Sequence, residues 1–489
     1  MVINKKISNF IVVNLINLIL FISLLISSRL PYKYLIYLII ILAYSIYLFT
    51  QKSINIIKYQ ISFMLISSPC LDMLYLNTGK TIPMENKYLI DIVLILLCFK
   101  MLINSREYKK VFNDSFIILI IMTILLNCII CIINKGNIYE LFNGLRLYYR
   151  FIPVYIILSL NNFKFNTEYK LYYFLNIFAC MFEILMKMHQ DHINGLFGAT
   201  GSPACSIFMT IMLVYIILKY INKKTKLLNL LFILFITFFY FVFSENKAFI
   251  FITCVNILFI ILLSRGKKYK KILTSIITMF ILIIGINVIC VLFPNFGEMF
   301  KLDTMQQSIE SYLLKNNNPA FALGRIDATK YVANIELNTS YRKMFGSGLG
   351  SALPTENWYY SSDMVSIGRY VLDSKPSTML NRYGYDLGYQ LTSTGVLFIE
   401  TGYIGILVLL LTCIIFTKRS LYIINNTKNE ERYLIGVLGI ITIISSLFPI
   451  LYGGGLINRN IMFIILLILG RVSYIYKQVK YEKPIEVNN

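Results

Sequence analysis

Several ionisable side chains sit inside apolar runs that should exclude them, and their spacing limits the chemistry they could do. Arg146 and Arg150 are four residues apart, so on a helix they share one face. Glu183 stands within a second apolar run and Glu400 within a third, while Glu245 and Lys247 occupy the short turn Ser244-Glu245-Asn246-Lys247 between two others. Arg459 opens the last run, just after Gly453-Gly454-Gly455. A charge inside a bilayer costs several kcal/mol, so each of these residues calls for a partner or a function. Cations gathered at one water-accessible depth suit a diphosphate or another anionic head group, because a guanidinium fork matches phosphate oxygens in pairs. The plainer alternative is ion pairing that only holds helices together, Arg146 with Glu183 and Lys247 with Glu245, or snorkelling to an interface.

The elements that must position these groups are membrane helices. Of the 489 residues, 57% are hydrophobic and only 14% charged, well outside the composition of soluble domains. Apolar runs of about 18 to 22 residues recur along the chain, the length a helix needs to cross a hydrocarbon layer of roughly 30 Å. The pattern predicts an all-α polytopic membrane protein with about fourteen transmembrane helices. The predicted spans are 8–28, 31–50, 55–75, 88–104, 115–134, 141–160, 171–188, 203–221, 227–243, 247–264, 271–293, 391–416, 433–451 and 457–475. The first follows Lys5 and Lys6 as a signal peptide would, but it lacks a small-residue cleavage site and reads as a retained helix. The organisation is thus an N-terminal bundle of about eleven helices (1–294), one large hydrophilic loop (295–390), about three C-terminal helices (391–476) and a tail (477–489).

With the N-terminus in the cytoplasm, the basic connections holding Lys52 and Lys58, Arg106 to Lys110, Lys219 to Lys226 and Arg265 to Lys271 all share one side. Lys418, Arg419, Lys428, Arg432 and the basic tail join them, as the positive-inside rule requires. The large loop then faces the opposite, non-cytoplasmic side, and Arg146, Arg150, Glu183, Glu245, Lys247, Glu400 and Arg459 all fall in that half of the bundle. Glu400, nine residues into its span, lies about 14 Å deep. The formal charge of +22 does not mark a nucleic-acid binder, since the loop holds nine basic and nine acidic residues. The excess belongs to short connections lying against anionic lipid. All nine cysteines fall in or beside apolar runs, and no His, Asp or Glu cluster has ligand spacing, so no disulfide framework, metal or cofactor is expected.

Three further stretches carry a resemblance. Phe243-Ser244-Glu245-Asn246-Lys247-Ala248-Phe249 is followed by Leu323-Gly324-Arg325-Ile326-Asp327, and then by Met344-Phe345-Gly346-Ser347-Gly348-Leu349-Gly350. Glu400-Thr401-Gly402-Tyr403-Ile404-Gly405 opens the next helix. In order and spacing, over roughly the second half of the chain, these resemble the O-antigen polymerase and O-antigen ligase superfamily of membrane glycosyltransferases. They stand for its Ser-x-Ser-Arg-x-Ala turn, with Lys247 in place of the Arg, its Gly-Arg loop opening, its Phe-Gly-x-Gly-Leu-Gly element and its Glu-x-Gly-x-x-Gly. On composition alone, Gly346, Gly348 and Gly350 read equally well as turn residues. The stretch Tyr389-Gln390-Leu391-Thr392-Ser393 has no histidine where ligases place one, which favours a polymerase-like member.

The resemblance implies transfer of a growing glycan between polyprenyl diphosphates on the outer side of a bacterial cytoplasmic membrane, with no nucleotide sugar and no metal. Both termini would be cytoplasmic. The partners implied are a polyprenyl-diphosphate-linked oligosaccharide, the lipid bilayer, a flippase and a chain-length regulator. Lys247 and Arg325 match motif positions for holding the diphosphate, and Arg146 and Arg150 are added by their place in the outer half. The general base stays open among Glu400, Asp386 and Asp327. Three alternatives remain: a ligase-like glycan transferase, a flippase or other transporter of lipid-linked oligosaccharide, and a non-catalytic assembly or lipid-scaffold protein whose intramembrane charges only hold helices together.

Overall fold

The computed structural model describes residues 2–27, 30–63, 86–103, 111–134, 136–163, 168–185, 193–197, 202–222, 224–244, 249–265, 268–292, 325–352, 392–453, 455–456 and 458–481. Among these residues there are helices and no strands. In chain order they are α1 (Val2–Ser27), α2 (Lys33–Thr50), a helical stretch over 53–63, α3 (Asn86–Ile103), α4 (Ser115–Ile133), α5 (Ile138–Tyr149), α6 (Ile152–Leu160), α7 (Glu168–Leu185) and α8 (Ser202–Ile221). Then follow α9 (Leu227–Phe243), α10 (Phe249–Leu263), α11 (Lys268–Leu292), α12 (Arg325–Glu336), α13 (Ser340–Phe345), α14 (Ser393–Asn426), α15 (Glu430–Tyr452) and α16 (Arg459–Tyr481).

Among the described residues, seven helices are long and apolar enough to cross a membrane: α2, α4, α8, α11, α14, α15 and α16. They overlap the expected spans 31–50, 115–134, 203–221, 271–293, 391–416, 433–451 and 457–475, with α14 and α16 running past the expected ends. The chain is therefore an all-α membrane protein. Shorter apolar helices cover Ile11–Leu24, Tyr172–Leu185, Leu227–Phe243 and Ile252–Leu263. Of the large hydrophilic loop, only residues 325–352 are described, and they carry the two short helices α12 and α13.

Helix starts follow from side chains that accept otherwise orphaned backbone N–H groups. Asp114 caps α4 by accepting from Phe116 N at 3.0 Å, and Asn137 caps α5 through Tyr139 N at 2.9 Å. Thr392 caps α14 through Gly395 N at 3.1 Å, and Asn429 caps α15 through Glu431 N at 2.9 Å. The expected span 141–160 is two helices, with the break at Arg150 and Phe151. Pro153 has no N–H to give the Tyr149 carbonyl, so one helix ends there and the next begins with its proline in the first turn.

Burial sorts the helices. In α8, 83% of the apolar window is enclosed, against 12% in α11 and 17% in α2, so α8 lies at the centre while the other two present their surface to lipid. Around α8 pack α15 and α16, and α16 runs along α6, where Gly470 lets the helix approach the Tyr155 backbone.

One buried charge cluster ties four of these helices together. Arg419, only 7% exposed, donates to Asp114 Oδ1 at 2.7 Å, Ser473 Oγ at 2.6 Å, the Tyr155 hydroxyl at 2.8 Å and Ser115 Oγ at 2.9 Å. Tyr155 in turn donates to Asp114 Oδ2 at 2.9 Å, and Lys477 Nζ lies 3.2 Å from the same oxygen. From sequence alone, Arg419 belongs to a basic connection after a span ending at 416. Instead α14 continues to Asn426 and turns Arg419 inward. Burial alone would raise the Asp114 carboxyl, but the charge and hydrogen bond of Arg419, aided by Lys477 and Tyr155, hold it below its ordinary range. Its contribution to stability is therefore present above the usual carboxylate range and lost only as pH falls through that depressed value.

Removing one partner of a buried pair leaves the other uncompensated, at a cost of about 3–5 kcal/mol. Asp114→Ala is therefore expected to lower the melting temperature of the purified protein steeply, and Arg419→Met on that background to recover part of the loss. A double-mutant cycle from thermal unfolding reads the coupling; additive losses would contradict it.

Candidate functional site

The site is built on an interruption in α14. The helix runs regularly from Ser393 to Glu400, but Gly402 adopts φ 63°, ψ −156°, and regular helix resumes beyond it. Such a break frees the carbonyls just ahead of it, which a bilayer cannot satisfy. The chain after α13 does so. Ser347 donates to the Ile399 carbonyl through both its backbone N and its Oγ, each at 2.9 Å, and Gly348 N donates to the Glu400 carbonyl at 3.0 Å. Two residues beyond Gly350, Ala352 N donates to the Glu400 side chain at Oε1, 2.9 Å away. Glu400 is fully buried.

Two glycines make this approach possible. Gly346 ends α13 at φ 80°, and a Cβ there would overlap the Glu400 carbonyl, while a Cβ on Gly402 would overlap the Met344 carbonyl. Both positions combine a left-handed conformation with backbone-to-backbone contact, so only glycine serves. On its far side the loop meets α5, where Gly350 lies against the Glu140 carbonyl and Gly144 against Gly350. Leu349 and Ala352 complete a small apolar cluster with Leu147, Val332, Val396 and Ile399. The hydroxyls of Tyr148 and Tyr149 interact electrostatically with Glu400.

The structure thus brings together four of the residues named from sequence, Glu400, Gly346, Gly348 and Gly350, although some fifty residues separate the two stretches. Arg325 opens α12, which packs on α14 through Val332. Asp327, in the first turn of α12, is half-buried and lies 3.8 Å from Lys330. Lys247 and Asp386 lie outside the described residues, as does Glu245.

The arginine pair is placed differently from expectation. Arg146 Nε bonds Asp91 Oδ2 of α3 at 2.7 Å, not Glu183. Glu183 Oε2 accepts instead from the backbone N of Asn194 at 2.8 Å and of Gly195 at 3.0 Å, holding the turn Gly195–Phe197. Asn460, next to Arg459, donates to the Phe197 carbonyl at 2.9 Å, so Glu183 supports the start of α16 through that turn. At about 100° per residue, Arg146 lies on the far side of α5 from Gly144, which faces the loop. Arg150 is buried, with its guanidinium 5.4 Å from the Phe151 ring centroid.

Sequence reasoning missed several participants. Asp91 carried a usable signal, being an acid inside an apolar run like the others. Tyr148 and Tyr149 were hidden among 36 tyrosines. Ala352 acts through its backbone N–H, which no residue type announces. No family model matches the chain, and no curated protein matches it.

The cradle makes a graded prediction. Gly346→Ala and Gly402→Ala each force a side chain into neighbouring backbone, whereas a Cβ on Gly348 meets nothing within 4 Å and costs only its unfavourable φ of 123°. Strain of that kind is about 1–3 kcal/mol. The first two variants are expected to lose more thermal stability than Gly348→Ala, and an equal loss in all three would contradict the packing.

Proposed function

We propose that this chain is a membrane glycosyltransferase of the polymerase type, joining oligosaccharide units carried on polyprenyl diphosphates at the non-cytoplasmic face of a bacterial cytoplasmic membrane. One observation carries the reading. The stretches 344–350 and 400–405, which resemble separate elements of the O-antigen polymerase and ligase superfamily, form one hydrogen-bonded unit on a broken membrane helix. Two unrelated turn sequences would have no reason to interlock.

In this reading an acceptor sugar hydroxyl attacks the anomeric carbon of the donor glycan. A new glycosidic C–O bond forms, the bond to the diphosphate breaks, and polyprenyl diphosphate departs with the electron pair. The departing charge needs cations and the hydroxyl proton needs a base. Arg325 and Lys247 are assigned to the diphosphate. Arg146 is bound to Asp91 on the far side of α5 from the glycine loop, so it and Arg150 are better suited to holding that helix. Glu400 is sealed from water and engaged by Ala352 N, which suits a positioning role. The proton acceptor then falls to Asp327 or Asp386. A flippase and a chain-length regulator fit as partners, supplying lipid-linked units and limiting product length.

A transporter of lipid-linked oligosaccharide is the second reading, favoured by the discontinuity of α14 at Gly402, since interrupted helices often build transport sites. Reconstitution separates the two. Purified protein supplied with its host's polyprenyl-diphosphate-linked oligosaccharide is expected to give a ladder of longer lipid-linked glycans on a gel. Arg325→Ala should abolish the ladder at normal expression, and of Asp327→Asn and Asp386→Asn one should reduce it by about 10²-fold or more. Movement of the substrate across vesicles without elongation would replace the polymerase reading with transport.

A further inference from the structure

A second arginine is enclosed near the Arg419 end of the bundle, and unlike Arg419 it keeps unpartnered donors among the described residues. Arg471 of α16 is 8% exposed, and its Nε and Nη1 have no hydrogen-bond partner among the described residues. Ser473, two residues on, faces Arg419, so Arg471 is turned about 200° around the helix, away from Asp114. It shares a face instead with Asn460, eleven residues or about three turns earlier, which bonds Phe197 just ahead of α8. The guanidinium stacks 5.0 Å from the Tyr474 ring centroid, and Gln478 Nε2 fixes that ring by donating to its hydroxyl at 2.9 Å.

The neighbourhood carries excess positive charge. Helix α8 packs against both α15 and α16, and Glu431 at the start of α15 attracts both Arg471 and Lys219 of α8. Lys224 is paired with Glu430, and Arg432 adds a further cation acting on Arg471. Among these described residues, the cations Lys219, Lys224, Arg432 and Arg471 stand against the carboxylates of Glu430 and Glu431. An enclosed guanidinium with unsatisfied donors in a net positive surrounding asks for an anion with several acceptor oxygens.

We infer that Arg471, with Lys219 of the neighbouring helix, forms a binding site for a phosphate group at the membrane face that carries the basic connections. Lys219 in the last turn of α8 and Glu431 in the first turn of α15 place a membrane interface beside the site, which favours the headgroup phosphate of an anionic phospholipid as its source. The site lies on the Arg419 side of the bundle, away from the Glu400 cradle, and does not depend on the reaction proposed above.

The test compares the full-length protein and Arg471→Met after lipid removal in neutral detergent. Melting temperature is read on adding phosphatidylglycerol, phosphatidylcholine or inorganic phosphate. The expected result is a rise of several degrees with phosphatidylglycerol, none with phosphatidylcholine, and loss of the rise in Arg471→Met. An equal rise with inorganic phosphate, also lost in the variant, would keep the phosphate site and make free phosphate its source. No rise, an equal rise with phosphatidylcholine, or an undiminished rise in the variant would overturn the inference. If Arg471→Met does not fold, native mass spectrometry of the wild-type protein in an equimolar mixture of the two lipids decides. Preferential retention of phosphatidylglycerol supports the site, and equal retention overturns it.

Discussion

The carbonyl oxygens of Ile399 and Glu400 set the conditions for one whole end of this molecule. A helix broken inside a bilayer leaves acceptors that neither lipid nor the helix itself can satisfy, so some other part of the chain must bring donors. Ser347 and Gly348 bring them, from a loop about fifty residues earlier. The dependence runs both ways. The loop cannot withdraw without stranding the two carbonyls, and α14 cannot straighten at Gly402 without closing the space that Met344 to Gly348 occupy. Glu400 adds a third tie through Ala352 N, and Gly144 admits the loop against α5. One broken helix therefore fixes the positions of α5, α12 and α13 as well as its own.

The same helix is pinned at its other end by Arg419. Glu400 and Arg419 are nineteen residues apart, about 28 Å along a helix, close to the thickness of a hydrocarbon layer. Between them the sequence from Tyr403 to Thr417 is almost wholly apolar. The two polar anchors thus stand at opposite ends of this apolar stretch, and each recruits different helices. Arg419 gathers α4, α6 and α16 through Asp114, Tyr155 and Ser473, whereas the Glu400 end gathers α5 and the loop helices. A helix held at both ends by buried polar networks keeps its depth and rotation, which neither apolar packing nor hydropathy would specify alone.

The amount that could be read from sequence follows from what kind of atom does the work. Apolar run length locates α4, α8, α14, α15 and α16 well because burial acts through side chains whose hydrophobicity is written in the residue type. The break within 141–160 was also readable, from Pro153. That Arg419 turns inward was not, because a basic residue beyond an apolar run ordinarily marks a connection, and only the partner Asp114, 305 residues earlier, reverses that. At the cradle, Gly346 and Gly402 were conspicuous as glycines, but their meeting was not. The donors and acceptors joining the two stretches are backbone atoms that every residue carries, so no pattern of side chains encodes the pairing. The Arg146 partner failed for a related reason. Helical spacing gives the face on which a charge lies but not the helix it meets, and Asp91 and Glu183 were equally available on that criterion.

The burial of Glu400 bears on how any chemistry here must be divided. A group that removes a proton from a sugar hydroxyl has to meet that hydroxyl, which arrives from water attached to a hydrated glycan. Glu400 is closed off from solvent, with one carboxyl oxygen held by the backbone of the same loop whose amides hold its carbonyl. Exposing it to substrate would require dismantling the contacts that give the loop its shape. A carboxyl group in that position is suited to fixing geometry, since its Oε1 accepts from Ala352 N and the hydroxyls of Tyr148 and Tyr149 interact with it. Asp327 differs in each respect: it is half-buried, in the first turn of a short helix that rests on α14, and Lys330 lies 3.8 Å from it. It can reach water and change partner without disturbing the cradle, so under the proposed glycosyl transfer Glu400 would shape the seat and a group such as Asp327 would meet the acceptor hydroxyl.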